Sequence, residues 1–257
     1  MRGHQPQAGS IELNPSTLGG KYLAILKISA TTDPDRVLAI MAKAPRAGHV
    51  KTRLASVCSS ALVVQLYRAL IEDTIALART VGVSIVVVCP AADAQEITAW
   101  LPSDVRVAPQ GGYGLADGLA SAFEILCEPP RRVIAFNGDS PHLPPAVLES
   151  AFAALADHDL VLGPCDDGGF YLVGATRTHA GLFDSHAMGA GSALDSLIAQ
   201  TRRLGLSSAV TAAHYDVDVP ADLARLARDL LPRPERAPRT AALLAQWPSA
   251  PEQRPSD

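Results

Sequence analysis

Short apolar runs alternate with longer segments of helical spacing through most of this chain. Apolar runs without polar alternation are typical of strands buried on both faces of a parallel sheet, and they lie at 37–40, 84–89, 105–108, 132–137 and 159–163. Segments with apolar residues every three or four positions predict helices at about 59–80, 93–100 and 115–126, and from 144 or 145 onward. The alternation predicts an α/β protein with a Rossmann-like three-layer α/β/α fold and a mostly parallel central sheet.

The second half of the chain continues this pattern with one change. A glycine turn at Gly168 and Gly169 opens a predicted strand that ends at Gly174, and such a turn allows this strand to run antiparallel to its neighbours. The remaining predicted elements are a helix at 193–204, a strand at 212–217 and a helix at 220–230.

Composition divides the chain into three parts. Residues 1–35 mix Gly, Pro, Ser and polar residues around one short element at 22–28, and predict an N-terminal arm that is partly flexible. Residues 36–231 hold the alternating elements and predict a single domain. Residues 232–257 are rich in proline and predict a C-terminal tail with one short helix at 240–247.

Charge and composition exclude several classes of protein. The 257 residues carry 22 Lys and Arg against 26 Asp and Glu, a formal charge of −4, so we expect no nucleic-acid or membrane partner. No apolar run reaches the roughly 18 residues of a membrane span and the N-terminus lacks the apolar core of a signal peptide, which predicts a cytoplasmic protein. The cysteines are widely spaced and predict free thiols, and the histidines lack zinc-ligand spacing. Any metal should therefore be held by carboxylates.

A cationic loop follows the first predicted strand. Lys43, Arg46, Lys51 and Arg53 lie within eleven residues, and Gly48 among them allows backbone N–H groups to approach a phosphate closely. A helix is expected to begin soon after Lys51 and to offer its positive end to the same anion. The alternative is a solvated basic turn.

Acidic residues follow two other predicted strands. Asp139 lies two residues past Asn137, and Asp216 and Asp218 end the strand predicted at 212–217. Strand ends of a parallel sheet meet at one edge, so these carboxylates should face the cationic loop and hold Mg²⁺, or Mn²⁺, bound through phosphate. The alternatives are a turn role for Asp139 and a helix-capping role for Asp216 or Asp218. His142 is near enough to Asp139 in sequence to reach the site, although a loop histidine is more often a surface residue.

Four motifs occur in order between residues 37 and 230. They are K-x-P-x-x-G-x-x-K-T-R-L from Lys43, G-D-S-P-x-L from Gly138, G-P-x-x-D-G-G-F-Y-L-V-G from Gly163 and D-V-D-x-P-x-D-L from Asp216. Together they resemble the small bacterial transferases with a GT-A, nucleotide-diphospho-sugar-transferase fold. More narrowly, they are similar to the glycosyltransferase-like DUF2064-type family associated with radical-enzyme and selenodomain clusters, a relative of the 2-phospholactate and molybdenum-cofactor guanylyltransferases.

The resemblance implies that Lys51 and Arg53 contact nucleotide phosphates and that Asp139 and Asp216 hold the metal. We include Lys43, Gly48 and Thr52 in the predicted phosphate-binding loop and Asp218 among the predicted metal ligands. Two segments depart from the family pattern. Gly114-Leu115-Ala116-Asp117-Gly118-Leu119 lacks an arginine, and Gly189-Ala190-Gly191-Ser192-Ala193 replaces a W-S-T segment. Gly191 and Ser192, with Gly168 and Gly169, are predicted to bind the acceptor, and the alternative for Gly191 and Ser192 is an ordinary loop.

Two reactions suit these residues. In nucleotidyl transfer, an acceptor attacks the α-phosphorus of a nucleoside triphosphate, pyrophosphate leaves, and Lys51 and Arg53 match a triphosphate. In glycosyl transfer from a nucleotide sugar, a carboxylate base is usual, and Asp166 or Asp167 is a candidate unless Asp167 only shapes a turn. We favour nucleotidyl transfer, and a non-catalytic nucleotide-binding protein of the same fold is the third reading. The sequence leaves open the base, the acceptor and the oligomeric state, with a homodimer as one option.

Overall fold

The computed structural model describes residues 32–183, 188 and 192–247. The element predicted at 22–28 and residues 248–257 of the predicted tail lie outside this part of the chain. Within it, seven strands form one sheet in the order β3-β2-β1-β4-β6-β5-β7. The strands are β1 Asp33–Met41, β2 Val83–Pro90, β3 Arg106–Gln110, β4 Arg132–Asn137, β5 Leu160–Pro164, β6 Phe170–Ala175 and β7 Ser208–Val210.

The sheet is mostly parallel. Strand β1 pairs in parallel with β2 and β4, β2 pairs with β3, and β5 pairs with β7. Strand β6 lies antiparallel between β4 and β5, which it can do because a short turn rather than a helix connects it to β5. The predicted α/β fold with a mostly parallel sheet is confirmed.

Helices cover both faces of the sheet. They are α1 Ser60–Val81, α2 Ala94–Trp100, α3 Gly114–Leu126, α4 Pro145–Ala154, α5 Ala193–Arg203, α6 Pro220–Leu230 and α7 Pro238–Ala245. Leu38 and Ile40 of β1 pack in the cluster that holds α1, α2 and α4, whereas Val37 and Ala39 pack on the opposite face with α3. Burial on both faces explains why β1 is a continuous apolar run.

A short helix follows the cationic loop, and the first long helix begins only after it. The segment after Lys51 forms only a short 3-10 helix, Thr52–Ser56, and α1 starts at Ser60. Ser59 caps α1, its hydroxyl accepting the backbone N–H of Leu62 at 3.3 Å. A helix thus begins directly after Lys51, as expected, but it is a 3-10 helix of five residues and the positive end of α1 lies further along the chain.

The strand predicted at 212–217 is also wrong. The last strand is β7, earlier in the chain, and the segment at 212–217 makes only an isolated bridge between His214 and Cys165. Its apolar alternation comes from Tyr215 and Val217, which pack against α1, α6 and α7 rather than within the sheet. Packing on helices and pairing in a sheet both produce alternation, so periodicity alone did not separate them.

The last helix packs against the domain. Helix α7 contacts α1 and α6 and contributes Ala241 and Leu244 to their apolar cluster. The fully buried carboxylate of Asp73 in α1 accepts the backbone N–H of Thr240 at 2.8 Å and that of Arg239 at 3.3 Å. The start of α7 has no capping side chain of its own, so a side chain of α1 supplies the cap.

Candidate active site

A cavity of about 410 Å³ opens at the edge of the sheet where the parallel strands end. We refer to it as the site cavity, and its lining includes Lys43, Lys51, Tyr67, Gln110, Asp139 and Asp218. A larger cavity of about 560 Å³ lies at the opposite edge, where β1, β2 and β3 begin, and its described lining contains no predicted site residue. The predicted loop and acids thus meet at the carboxyl edge.

Lys51 points into the acidic centre of the site cavity. Its Nζ contacts Asp139 Oδ2 and lies 3.5 Å from Asp218 Oδ1. Burial by itself lowers the pKa of Lys51, but the neighbouring carboxylates, Asp139 foremost, raise it above its ordinary value. The ammonium group is therefore charged. Lys51 is also the only non-glycine residue of the described chain with positive φ, 45°, a conformation that costs about 1–2 kcal/mol.

Arg53 forms the outer part of the same cluster. Its guanidinium donates to Asp218 Oδ2 at 2.6 Å, and its side chain is 70% exposed. Helix α6 is capped by Asp222, whose carboxylate accepts the backbone N–H groups of Val219 and Asp218 at 2.8 and 3.0 Å. Because Asp222 supplies this cap, the reading of Asp216 or Asp218 as the capping residue is wrong. Neither carboxylate is used for capping, and that of Asp218 lines the cavity.

The rest of the cationic loop divides into two roles. Arg46 turns away from the cavity and binds Asp93 at 2.9 Å and Glu96 at 2.7 Å. Asp93 also accepts the backbone N–H of Ala44 at 2.9 Å, so these contacts hold the loop against the start of α2. Lys43 lines the cavity, and its backbone N–H donates to the hydroxyl of Tyr67 at 2.9 Å.

Gly48 and Thr52 shape the path of the loop. Gly48 has a φ of 76°, which favours glycine, and a Cβ there would meet nothing within 4 Å. Thr52 is the first residue of the short 3-10 helix. Their predicted contact with phosphate stays a prediction.

Asp139 and Asp216 offer oxygens suited to a divalent cation. Asp139 Oδ1 is buried without a hydrogen-bond partner, while Oδ2 contacts Lys51. Burial, followed by the charge of Asp139, raises the pKa of Asp216 to about 6. Mg²⁺ and Mn²⁺ take oxygen ligands. Either ion would give the unpaired Oδ1 of Asp139 a partner and would offset the negative charge that raises the pKa of Asp216.

Two further groups adjoin Asp216. Ligand atoms of Cys165, Asp167 and Asp216 all lie within 4.8 Å of one another. Burial raises the pKa of the Cys165 thiol, and the neighbouring acids raise it further, so the thiol is protonated. Sequence reasoning treated Cys165 only as a buried thiol. Its position two residues before Asp167 was the one signal available, and it became meaningful only with the 165–168 turn folded onto Asp216.

The predicted acceptor residues lie at the turn between β5 and β6. Asp167 Oδ1 accepts the backbone N–H of Gly169 at 2.8 Å, so Asp167 shapes the turn as well as facing Asp216. Gly168 has a φ of 90°, and its carbonyl accepts the Ser192 hydroxyl at 2.5 Å. Ser192 also caps α5, while Gly191 lies outside the described residues. Gly168 and Ser192 are thus brought together, and their predicted role with an acceptor stays a prediction.

In the segment 114–119, which lacks the arginine of the family pattern, a neighbouring glutamine occupies the surface at that position. Gly118 occupies that position on α3, and a Cβ there would lie 2.8 Å from Gln110 Oε1. The Gln110 side chain therefore lies over the bare helix surface and lines the site cavity. Tyr113, just before α3, is 93% exposed.

The fold defined above is that of the GT-A nucleotide-dependent transferases. A crystal structure from Desulfovibrio desulfuricans G20, provisionally described as a nucleotide-diphospho-sugar transferase, is similar with a TM-score of 0.75 and 25% identity over 84% of this chain and 99% of that one. The inositol-1-phosphate CTP transferase of T. maritima is similar with a TM-score of 0.50 and 16% identity over 74% of this chain and 91% of that one. The second likeness concerns the fold alone.

The resemblance is also confirmed at the level of sequence for the middle of the chain, which contains the second and third motifs. Residues 74–190 match the family model described as uncharacterized protein conserved in bacteria, DUF2064. No curated protein sequence matched this chain. None of the described helices is both long enough and apolar enough to cross a membrane.

Proposed function

We propose that this chain is a metal-dependent nucleotidyltransferase that moves a nucleoside monophosphate from a nucleoside triphosphate to a small acceptor. The observation that carries the proposal is the contact of Lys51 and Arg53 with Asp139 and Asp218 at the site cavity. Cations suit the phosphates of a donor, and carboxylates suit the divalent ion that accompanies them. The likeness to the Desulfovibrio protein supports a nucleotide-dependent transferase.

Asp139 and Asp216 would hold the divalent ion, Mg²⁺ or Mn²⁺, with Asp218 beside them. When bound, such an ion neutralises charge on phosphate oxygens. Lys51 then exchanges its contact with Asp139 for a phosphate oxygen of the donor, which keeps the buried ammonium paired. Arg53, at the exposed edge of the cluster, neutralises the charge that develops on pyrophosphate.

The acceptor approaches from the turn between β5 and β6. A deprotonated phosphate oxygen of the acceptor, or a hydroxyl oxygen that gives its proton to water, forms a bond to the α-phosphorus, and the bond from that phosphorus to the bridging β-phosphate oxygen breaks. Pyrophosphate leaves with the electron pair. Gly168, Gly169 and Ser192 border this side. The Gly168 N–H donates to the Cys165 carbonyl, the Gly169 N–H to Asp167 and the Ser192 hydroxyl to the Gly168 carbonyl, so a phosphorylated acceptor would bind here by replacing one of these partners.

Glycosyl transfer is the second candidate. The provisional description of the Desulfovibrio protein favours a nucleotide-sugar donor, and Asp167 beside Asp216 is the candidate base. Against it, one oxygen of Asp167 already accepts the N–H of Gly169. A non-catalytic nucleotide-binding protein is the third reading, and the retention of Asp139 and Asp216 argues against it.

The test is a binding screen of the purified protein by thermal shift and calorimetry. The ligands are the four common nucleoside triphosphates and a set of nucleotide sugars, each with Mg²⁺, with Mn²⁺ and with chelator. We expect metal-dependent stabilisation by one triphosphate, about 2.7 kcal/mol at 100-fold excess over Kd. A preference for a nucleotide sugar would support glycosyl transfer, and no binding of any nucleotide would contradict all three readings.

Matched variants connect the result to the site. Asp139→Asn should abolish the metal-dependent part of nucleotide binding. Asp104→Asn is the control, because Asp104 pairs with Arg79 at the opposite edge of the sheet. Equal loss in both variants would mean that the effect is not specific to the site.

A further inference from the structure

Three separate loops supply the acids of the site. Asp139 follows β4, Asp167 lies in the turn before β6, and Asp216 precedes α6. Backbone hydrogen bonds of 2.9 and 3.0 Å tie the second loop to the third through Asp166, Pro164 and His214. The first loop lacks such a backbone connection to the third within the described chain. Its spacing from Asp216 must therefore be set by side chains.

One hydrogen bond and one ring stack join the first loop to the third. The fully buried Ser140 hydroxyl donates to the backbone carbonyl of Tyr215 at 3.2 Å. The His142 ring stacks on the Tyr215 ring with centroids 4.3 Å apart and planes 28° from parallel. Ser140 and Tyr215 are adjacent in sequence to Asp139 and Asp216, and His142 lies three residues after Asp139.

The stack has a third layer. The Arg225 guanidinium carbon lies 3.8 Å from the Tyr215 ring centroid, and two groups this close to one ring must occupy its opposite faces. Arg225 also donates to Asp166 Oδ2 at 2.7 Å, which extends the connection to the loop of Asp167. The Tyr215 hydroxyl donates to Asp229 of α6 at 2.6 Å and fixes the ring on that helix.

His142 acts in this stack as a flat ring and not as a proton carrier. It is 6% exposed, and neither ring nitrogen has a hydrogen-bond partner. Burial lowers its pKa to about 4, so the imidazole is neutral near pH 7. A neutral ring can pack against Tyr215 without the desolvation cost of a charge. The expectation that a loop histidine is exposed is corrected here.

We propose that Tyr215, clamped between His142 and Arg225, is a positioning residue that sets the spacing of the Asp139 and Asp216 carboxylates. The inference rests on the proposed metal-binding role of those two acids. We call His142, Tyr215 and Arg225 the aromatic clamp. Because the clamp connects all three acid-bearing loops, it acts as the support that metal ligands on separate loops require.

The test uses variants that change one layer at a time. Arg225→Met removes the outer layer and the Asp166 contact. Arg228→Met is its control, since Arg228 lies on the same helix and its side chain makes no hydrogen bond or ion pair with the described residues. His142→Ala removes the inner layer, whereas His142→Phe keeps a ring and removes both nitrogens. Retention of function by His142→Phe would separate stacking from proton transfer.

Two readouts are needed. Hydrogen exchange of backbone amides in 139–143 and 214–219 reports whether the clamp holds the loops. Mn²⁺ affinity, measured by calorimetry with nucleotide present, reports the positioning of the carboxylates. We expect Arg225→Met and His142→Ala to raise exchange in both segments and to weaken Mn²⁺ binding about tenfold or more, as loss of supporting contacts does at metal sites. Arg228→Met and His142→Phe should match the unaltered protein in both measurements.

Unchanged exchange and unchanged Mn²⁺ affinity in both Arg225→Met and His142→Ala would overturn the inference. Loss of binding in His142→Phe equal to that in His142→Ala would also overturn it, because the nitrogens and not the stack would then matter. Failure of the proposed function gives a different result. In that case the unaltered protein binds no Mn²⁺, and the exchange measurement alone decides whether the clamp holds the loops.

Discussion

Asp216→Asn should stabilise the protein at neutral pH in the absence of metal. The pKa of the Asp216 carboxyl is raised in the folded state from 3.8 to about 6, first by burial and then by the charge of Asp139. A carboxyl whose folded pKa is raised binds its proton more tightly when folded than when unfolded. Folding is therefore opposed once pH rises above the unfolded value, and the full penalty is reached above about pH 6.

The magnitude follows from the size of this pKa change. A difference of roughly two units corresponds to at most about 3 kcal/mol. Because Asp216 is only partly buried, solvent screening reduces the figure, and we expect about 1–2 kcal/mol. Asparagine has nearly the same shape and no charge, so the variant should lose this penalty while keeping the packing.

The assay is urea unfolding in chelator at pH 7.5 and at pH 4. Asp216→Asn should be more stable than the unaltered protein at pH 7.5. The difference should shrink to a small fraction at pH 4, where Asp216 is protonated in the folded state and partly protonated in the unfolded state. Asp104→Asn, far from the site, should show no such gain. If Asp216→Asn is no more stable than the unaltered protein at pH 7.5, the charge of Asp216 does not oppose folding.

Three other predictions test the loop, the C-terminal helix and a close contact. Lys51→Met should weaken triphosphate binding in calorimetry by roughly 1.5–3 kcal/mol, the value of a charge-assisted hydrogen bond, and an unchanged Kd would refute the phosphate role of Lys51. Asp73→Ala should lower the urea-derived stability by about 1–3 kcal/mol because it leaves buried N–H groups of α7 unpaired, whereas Glu72→Ala, at the partly exposed neighbouring position, should cost under about 1 kcal/mol. Gly138→Ala should cost about 1–3 kcal/mol in the same assay, since its Cβ would lie 2.1 Å from Ile71 Cδ1, and a neutral result would mean that Ile71 moves aside freely.

The elements of the fold were largely predictable because burial on both faces leaves a strong local signal. Helix α6 begins and ends where its pattern predicts, at Pro220 and Leu230, and β4 likewise spans Arg132–Asn137. Predictions failed where a neighbour distant in sequence decides the structure. The extended segment before α6 packs on helices, and the cationic loop turns through a strained lysine held by Asp139.

By itself, the sequence determined six of the seven strands of the sheet, that the Lys51 loop and Asp139 leave it at the same edge, and that acids and cations would meet there. Those conclusions need only strand direction and periodicity, which are local properties. Tertiary structure alone decided the pairing of each charge. It directed Arg46 to Asp93 and Glu96, Lys51 to Asp139 and Arg53 to Asp218, and it buried His142 against Tyr215. Such pairings depend on distances of a few ångströms between segments separated by up to 165 residues, and no spacing within one segment encodes them.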